Sequence, residues 1–128
     1  MICTLDLQVQ LIENRNVFPQ ILNFLGLIGE GVEVGVQSGA YSEVLLTHWL
    51  GRRLFSVDPW REWLRDSYQD SANVTQQRQD QLYLEAKRKL DPFKERSVIL
   101  RKTSREAARD FADRSLDFVY LDAQHQYD

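Results

Sequence analysis

The chain has 128 residues, the size of one ordinary domain, which excludes two. With 43% apolar and 27% charged residues and a net charge of −3, its composition is that of a soluble globular protein and not of a disordered, collagenous or repeat chain. Residues 1–60 carry three basic and six acidic side chains and residues 61–128 carry thirteen of each, so neither half is the basic platform that nucleic acid requires.

The single Cys3 cannot form an internal disulfide, and the N-terminus lacks a basic region followed by an apolar core and cleavage site. No apolar run approaches the roughly 20 residues needed to span a bilayer. The expected compartment is a reducing cytoplasm, with neither nucleic acid nor membrane as partner.

Along the chain, Phe18, Ile21, Leu22 and Leu25 recur at helical spacing between Val17 and Leu25, and Gly26 and Gly29 end that helix. Val32 to Val36 is a short β-branched strand that runs into the turn Gln37-Ser38-Gly39. Tyr41 to Leu50 carries Val44, Leu45, Trp49 and Leu50 on one helical face, with Gly51 in the position after the C-cap. A second strand, Leu54 to Val57, ends at Asp58-Pro59. Strand, helix and strand in under 30 residues make a βαβ unit, hence a parallel sheet.

From Trp60 to Asp91 the sequence is polar and Gln-rich, with a sparse stripe of Val74, Leu82, Ala86 and Leu90. A half-exposed helix is expected there, preceded by a loop from Asp66 to Asn73 and broken by Pro92. Val98 to Leu100 is a third strand, Ser104 caps a helix carrying Ala107, Ala108 and Phe111, and Leu116 to Leu121 is a fourth strand. The expected fold is α/β, one domain over residues 1–128, with helices on both faces of a parallel sheet.

Ligands of such sheets bind beyond the carboxyl ends of the strands. After the first strand stand Glu33, Gly35, Gln37, Ser38 and Gly39, the candidate binding turn. Its glycines permit positive φ and close backbone approach. A dinucleotide fingerprint needs glycine where Gln37 stands, and Glu33 would repel a pyrophosphate but attract an ammonium or sulfonium. After the second strand, Asp58 can accept from both hydroxyls of a ribose, or merely turn the chain before Pro59. Trp60 offers a ring for an adenine face, or packs in the interior. After the third, Thr103 and Ser104 offer hydroxyls to an adenine edge, and Ser104 is a helix cap on either reading. After the fourth come Asp122 and His125. For His125 a solvated or structural role stands beside catalysis, and His48, within a helix beside Trp49, reads as structural.

Those residues resemble a family. Gly31 to Ser42 is similar to motif I of the class I S-adenosylmethionine-dependent methyltransferases, Ser56 to Trp60 to their acidic second motif, and Ser115 to Tyr127 to a stretch of the small O-methyltransferase-like group called methyltransferase domain 24. The resemblance covers residues 17–128 and implies a Rossmann-like sheet of seven strands. It places Glu33 and Gly35 at the methionine end of the cofactor, Gly39 in the loop, Asp58 on the ribose and Ser104 at the adenine. Some metal-dependent sugar O-methyltransferases of this pattern use an Asp, with a His three residues later, as metal ligand and general base; Asp122 and His125 match that spacing. The implied cofactors are S-adenosylmethionine and a divalent metal such as magnesium, with a small-molecule or sugar hydroxyl as acceptor.

The last three strands of the seven have no counterpart in the sequence. The expectation is therefore a truncated, partial domain. Its fourth-strand edge invites a second copy of the chain, and a catalytically incompetent remnant that binds ligand or self-associates is the alternative function. A nicotinamide-dependent oxidoreductase is a weaker alternative, disfavoured by Glu33 and Gln37, and a metal-dependent hydroxylase on the same sheet is another.

Overall fold

The computed structural model describes residues 14–64 and 73–122. A 3-10 turn at Arg15–Val17 leads into α1 (Phe18–Phe24), where Pro19 sits in the first turn and its missing N–H costs no hydrogen bond. There follow β1 (Glu30–Val34), α2 (Ala40–His48), β2 (Arg53–Val57) and α3 (Gln76–Leu90). A 3-10 segment at Asp91–Arg96 then precedes β3 (Ser97–Leu100), α4 (Ser104–Ala108) and β4 (Phe118–Leu121).

The four strands form one parallel sheet in the order β3-β2-β1-β4. The chain steps outward from β1 to β3, then returns to the far side of β1. Strand order therefore reverses between β1 and β4, the place beyond whose carboxyl ends ligands of such sheets bind. This is the expected Rossmann-like α/β arrangement.

Alternation along the strands sorts the core into two layers. On one face Leu54 of β2 and Phe118 of β4 pack with Leu22 of α1, Tyr41, Leu45 and Leu46 of α2, Trp49 and Leu90. On the other, Val32, Val34 and Val57 pack with Ala107 of α4, joined by Phe55, Phe111 and Leu116. Each fully buried Leu in these layers contributes about 1.5–3 kcal/mol. A third cluster of Val36, Trp60 and Ala86 seats α3 near the carboxyl end of the sheet.

Several boundaries differ from the sequence expectation, β4 for instance starting at Phe118 and not at Leu116, and four of the differences have a local reason. β1 lies two residues earlier than expected, because Val36 gives its N–H to the Asp58 carboxylate (2.9 Å) instead of to a strand. Gly51 does not cap α2. The helix ends at His48, and Gly51 lies beneath the Trp49 indole, which fills the space a Cβ would need. The carbonyls of Leu46, Trp49 and Gly51 are instead taken by the Arg96 guanidinium, at 3.0, 2.8 and 3.2 Å. Ser104 does not cap α4 either; the Thr103 hydroxyl accepts from the Glu106 N–H at 3.2 Å. Phe111 lies beyond α4 and packs edge-on against Phe55. The loop expected from Asp66 to Asn73 falls, except for Asn73, outside the described residues.

β4 pairs with β1 alone among the described residues. On the α4 side of that strand Val119 is 52% and Leu121 65% exposed. No helix among the described residues is long and apolar enough to cross a membrane.

Candidate functional site

The turn after β1 is left-handed at every second residue: Gly35 has φ 93°, Gln37 53° and Gly39 82°. Gly39 is required on two counts. Its φ is one that side chains rarely adopt, and a Cβ would stand 3.0 Å from the Ala86 backbone of α3. Asp58, at the exit of β2, holds this turn. One carboxylate oxygen accepts from the N–H groups of Val36 (2.9 Å) and Gln37 (3.0 Å), and the other from that of Trp60 (2.8 Å). A carboxylate offers about four acceptor positions. Asp58 therefore has room for one ribose hydroxyl, not the expected two.

Glu33, near the end of β1, is 1% exposed on the α2 face, and its carboxyl accepts from the Ser42 hydroxyl in the first turn of α2 at 2.9 Å. Burial pushes this carboxyl up to about 8, against the Ser42 hydrogen bond and the charge of Arg15, which favour ionisation. Below that pH the ligand-free side chain is a neutral acid.

β4 brings a second acid to the same end of the sheet. Asp122 gives its backbone N–H to Val34 (2.8 Å), and its carboxylate meets Arg15 Nη1 at 3.2 Å. Arg15 comes from the turn before α1. Its guanidinium lies 4.6 Å over the Tyr41 ring, and its carbonyl accepts from the Tyr41 hydroxyl at 2.7 Å. Tyr41 in turn packs 4.8 Å from Tyr120 of β4, and burial raises its phenol further above the ordinary range. Partial burial of Arg15 is outweighed by the Tyr120 hydroxyl and by Asp122, so its guanidinium is held charged. The ion pair itself is worth about 0–1 kcal/mol at such exposure. Its importance lies in placing a cation and an anion side by side at the carboxyl end of the sheet.

The profile of a family described as a methyltransferase domain matches residues 32–128, about three quarters of the chain. The chain belongs to that family. No curated protein matches it.

In this methyltransferase domain the reversal of strand order gathers Glu33, the Gly35–Gly39 turn, Asp58 and Asp122 at one end of the sheet. Gln37 contributes its backbone, with the N–H on Asp58 and the carbonyl accepting from Trp60 Nε1 at 2.8 Å. That last contact corrects one expectation: Trp60 is 0% exposed, packed edge-on against Tyr83, and presents no ring face to an adenine. Ser38 is half-buried within the turn. Ser104 is exposed at the start of α4, beyond the end of β3. His125 lies outside the described residues.

The domain's described residues do not fit a divalent cation. No three His, Cys, Asp or Glu side chains among them converge, and Asp122, the expected ligand, faces the Arg15 guanidinium.

Arg15, Tyr41, Ser42 and Tyr120 went unassigned in the sequence as site residues. For Ser42 a signal existed, since a helix starting at Gly39 turns position 42 back toward the strand it left. For Arg15 none did, because its place depends on how α1 packs.

Proposed function

We propose that this domain binds S-adenosylmethionine and transfers its methyl group to an oxygen of a small molecule or sugar. The observation that carries the reading is Glu33, a buried acid at the end of β1, beside the point where strand order reverses. A carboxyl sunk in the sheet is costly unless it meets a cation. The ammonium of the cofactor supplies one, and ligand binding then offsets the burial.

Bound cofactor provides a methyl carbon made electrophilic by its sulfonium sulfur. The chain's own residues do the rest. Glu33 accepts from the ammonium, the Gly35–Gly39 turn lets backbone approach closely, and Asp58 accepts from one ribose hydroxyl. Ser104 stands on the adenine side. His125, three residues after Asp122, takes the proton of the acceptor hydroxyl as its oxygen attacks the methyl carbon and the C–S bond breaks to leave S-adenosylhomocysteine. The domain works in the cytoplasm on this reading.

Two assays test it: thermal melting with millimolar S-adenosylhomocysteine, and transfer of labelled methyl from S-adenosylmethionine to a panel of small hydroxylated acceptors. Ligand at 100-fold its Kd adds about 2.7 kcal/mol of stability, a shift of several degrees. An unchanged melt and no transfer to any acceptor contradict the proposal.

The exposed Val119 and Leu121 favour a second reading, in which two copies meet along β4 and the domain serves as a self-associating ligand-binding module. Light scattering decides it, a monomer at all concentrations counting against it.

A further inference from the structure

We infer that Arg15 is a specificity-determining residue of the proposed cofactor site, its guanidinium holding the carboxylate of the ligand's amino-acid end while Glu33 holds the ammonium. The inference rests on the S-adenosylmethionine reading and names a residue that precedes the matched span of 32–128.

Glu33 and Asp122 alone would attract any ammonium or sulfonium. Arg15 changes that chemistry. The fold anchors it twice, through its carbonyl on the Tyr41 hydroxyl (2.7 Å) and through the stacking of its guanidinium on the Tyr41 ring (4.6 Å), yet 51% of the side chain remains open to solvent. Tyr120, the sheet partner of Glu33 across β1 and β4, packs on the same Tyr41 ring that carries the guanidinium, which sets Arg15 on the Glu33 side of the sheet. A ligand end lying between the two side chains meets an acid and a fixed cation in close succession, which matches the ammonium and carboxylate carried on one α-carbon.

Asp122 uses Nη1 at 3.2 Å, and the Tyr41 ring takes one face of the guanidinium. A guanidinium has five N–H donors, so a second carboxylate can be accepted without releasing either partner. Its planar fork suits a carboxylate better than an ammonium head does.

The test compares S-adenosylhomocysteine with its decarboxylated analogue, which keeps the ammonium and lacks the carboxylate. Calorimetry with the wild-type chain is expected to show the carboxylated ligand binding about tenfold tighter or more. Arg15→Met removes the charge and is expected to bring the two affinities to within about threefold, while Arg15→Lys keeps part of the preference. Reading the ratio within each variant separates lost recognition from lost stability. Arg15→Gln provides the same comparison if the Met variant fails to fold by circular dichroism. A wild-type chain that binds both ligands equally, or an Arg15→Met chain that keeps the full preference, overturns the inference and leaves the cofactor reading standing. Binding of neither ligand by the wild type overturns the cofactor reading and this inference with it.

Discussion

Glu33→Gln isolates the buried acid at the centre of the site. Glutamine keeps the size of the side chain and can accept from Ser42 through its amide oxygen, so packing is preserved. What it removes is a titration. The Glu33 carboxyl sits at about 8 in the fold, pushed up by burial from the 4.5 of a free glutamate. In the interval between, the folded chain binds more protons than the unfolded one. The contribution of Glu33 to stability is full at acid pH and is lost as pH rises toward about 8.

Each pH unit spent in that interval costs about 1.4 kcal/mol. Between about pH 5.5 and about pH 8.5 the wild-type chain therefore loses about 3 kcal/mol from this group, close to 10 °C in Tm. Thermal melts of wild type and Glu33→Gln across that range are expected to coincide within a degree or two near the acid end and diverge steadily, with the variant the more stable above neutrality. Parallel curves, with a constant Tm difference at every pH, refute the assignment of a neutral, buried Glu33. The same variant is expected to bind S-adenosylhomocysteine about tenfold more weakly or worse, since the charge-assisted bond to the ammonium is gone.

Three further substitutions probe the frame around the site. Asp58→Ala orphans the N–H groups of Val36, Gln37 and Trp60 and is expected to cost about 2–4 kcal/mol without any ligand, read by urea unfolding. A loss confined to ligand affinity shows instead that Asp58 serves the ligand alone. Gly39→Ala forces a side chain into φ 82° and against Ala86; about 1–3 kcal/mol of destabilisation is expected in the same assay, and no change contradicts the tight α2–α3 approach. Arg96→Met releases the carbonyls of Leu46, Trp49 and Gly51. It is expected to lower stability by about 2 kcal/mol and to speed amide exchange at the end of α2, with unchanged exchange as the contrary result.

The alternating α/β plan was legible because each strand is a short run rich in β-branched or aromatic residues and all the turns but Arg101–Thr103 carry Gly, Pro or Asp. Glu33, Gly35 and Gly39 were legible for the same reason, as chemistry at the end of a strand. Failures arose where a tertiary contact overrode a local pattern. Val36 has the residue type of a strand, yet its N–H is claimed by Asp58, twenty-two positions later. Trp60 follows a strand as a ligand-stacking ring would, but Val36, Ala86 and Tyr83 close over it. Gly51 has the place of a helix cap, but Arg96 performs that task and Gly51 makes room for an indole. Arg15 shows the limit most plainly, since no spacing within the chain connects it with Asp122, 107 positions away.

The central claim is that Glu33 receives the ammonium of S-adenosylmethionine. Calorimetric titration with S-adenosylhomocysteine at about pH 7, in two buffers of different ionisation enthalpy, tests it most directly. A neutral Glu33 must ionise to accept the ammonium, so one ligand is expected to bind per chain with release of close to one proton, and Glu33→Gln is expected to abolish that release. No heat at millimolar ligand, or binding with no proton exchange and no response to Glu33→Gln, contradicts the claim.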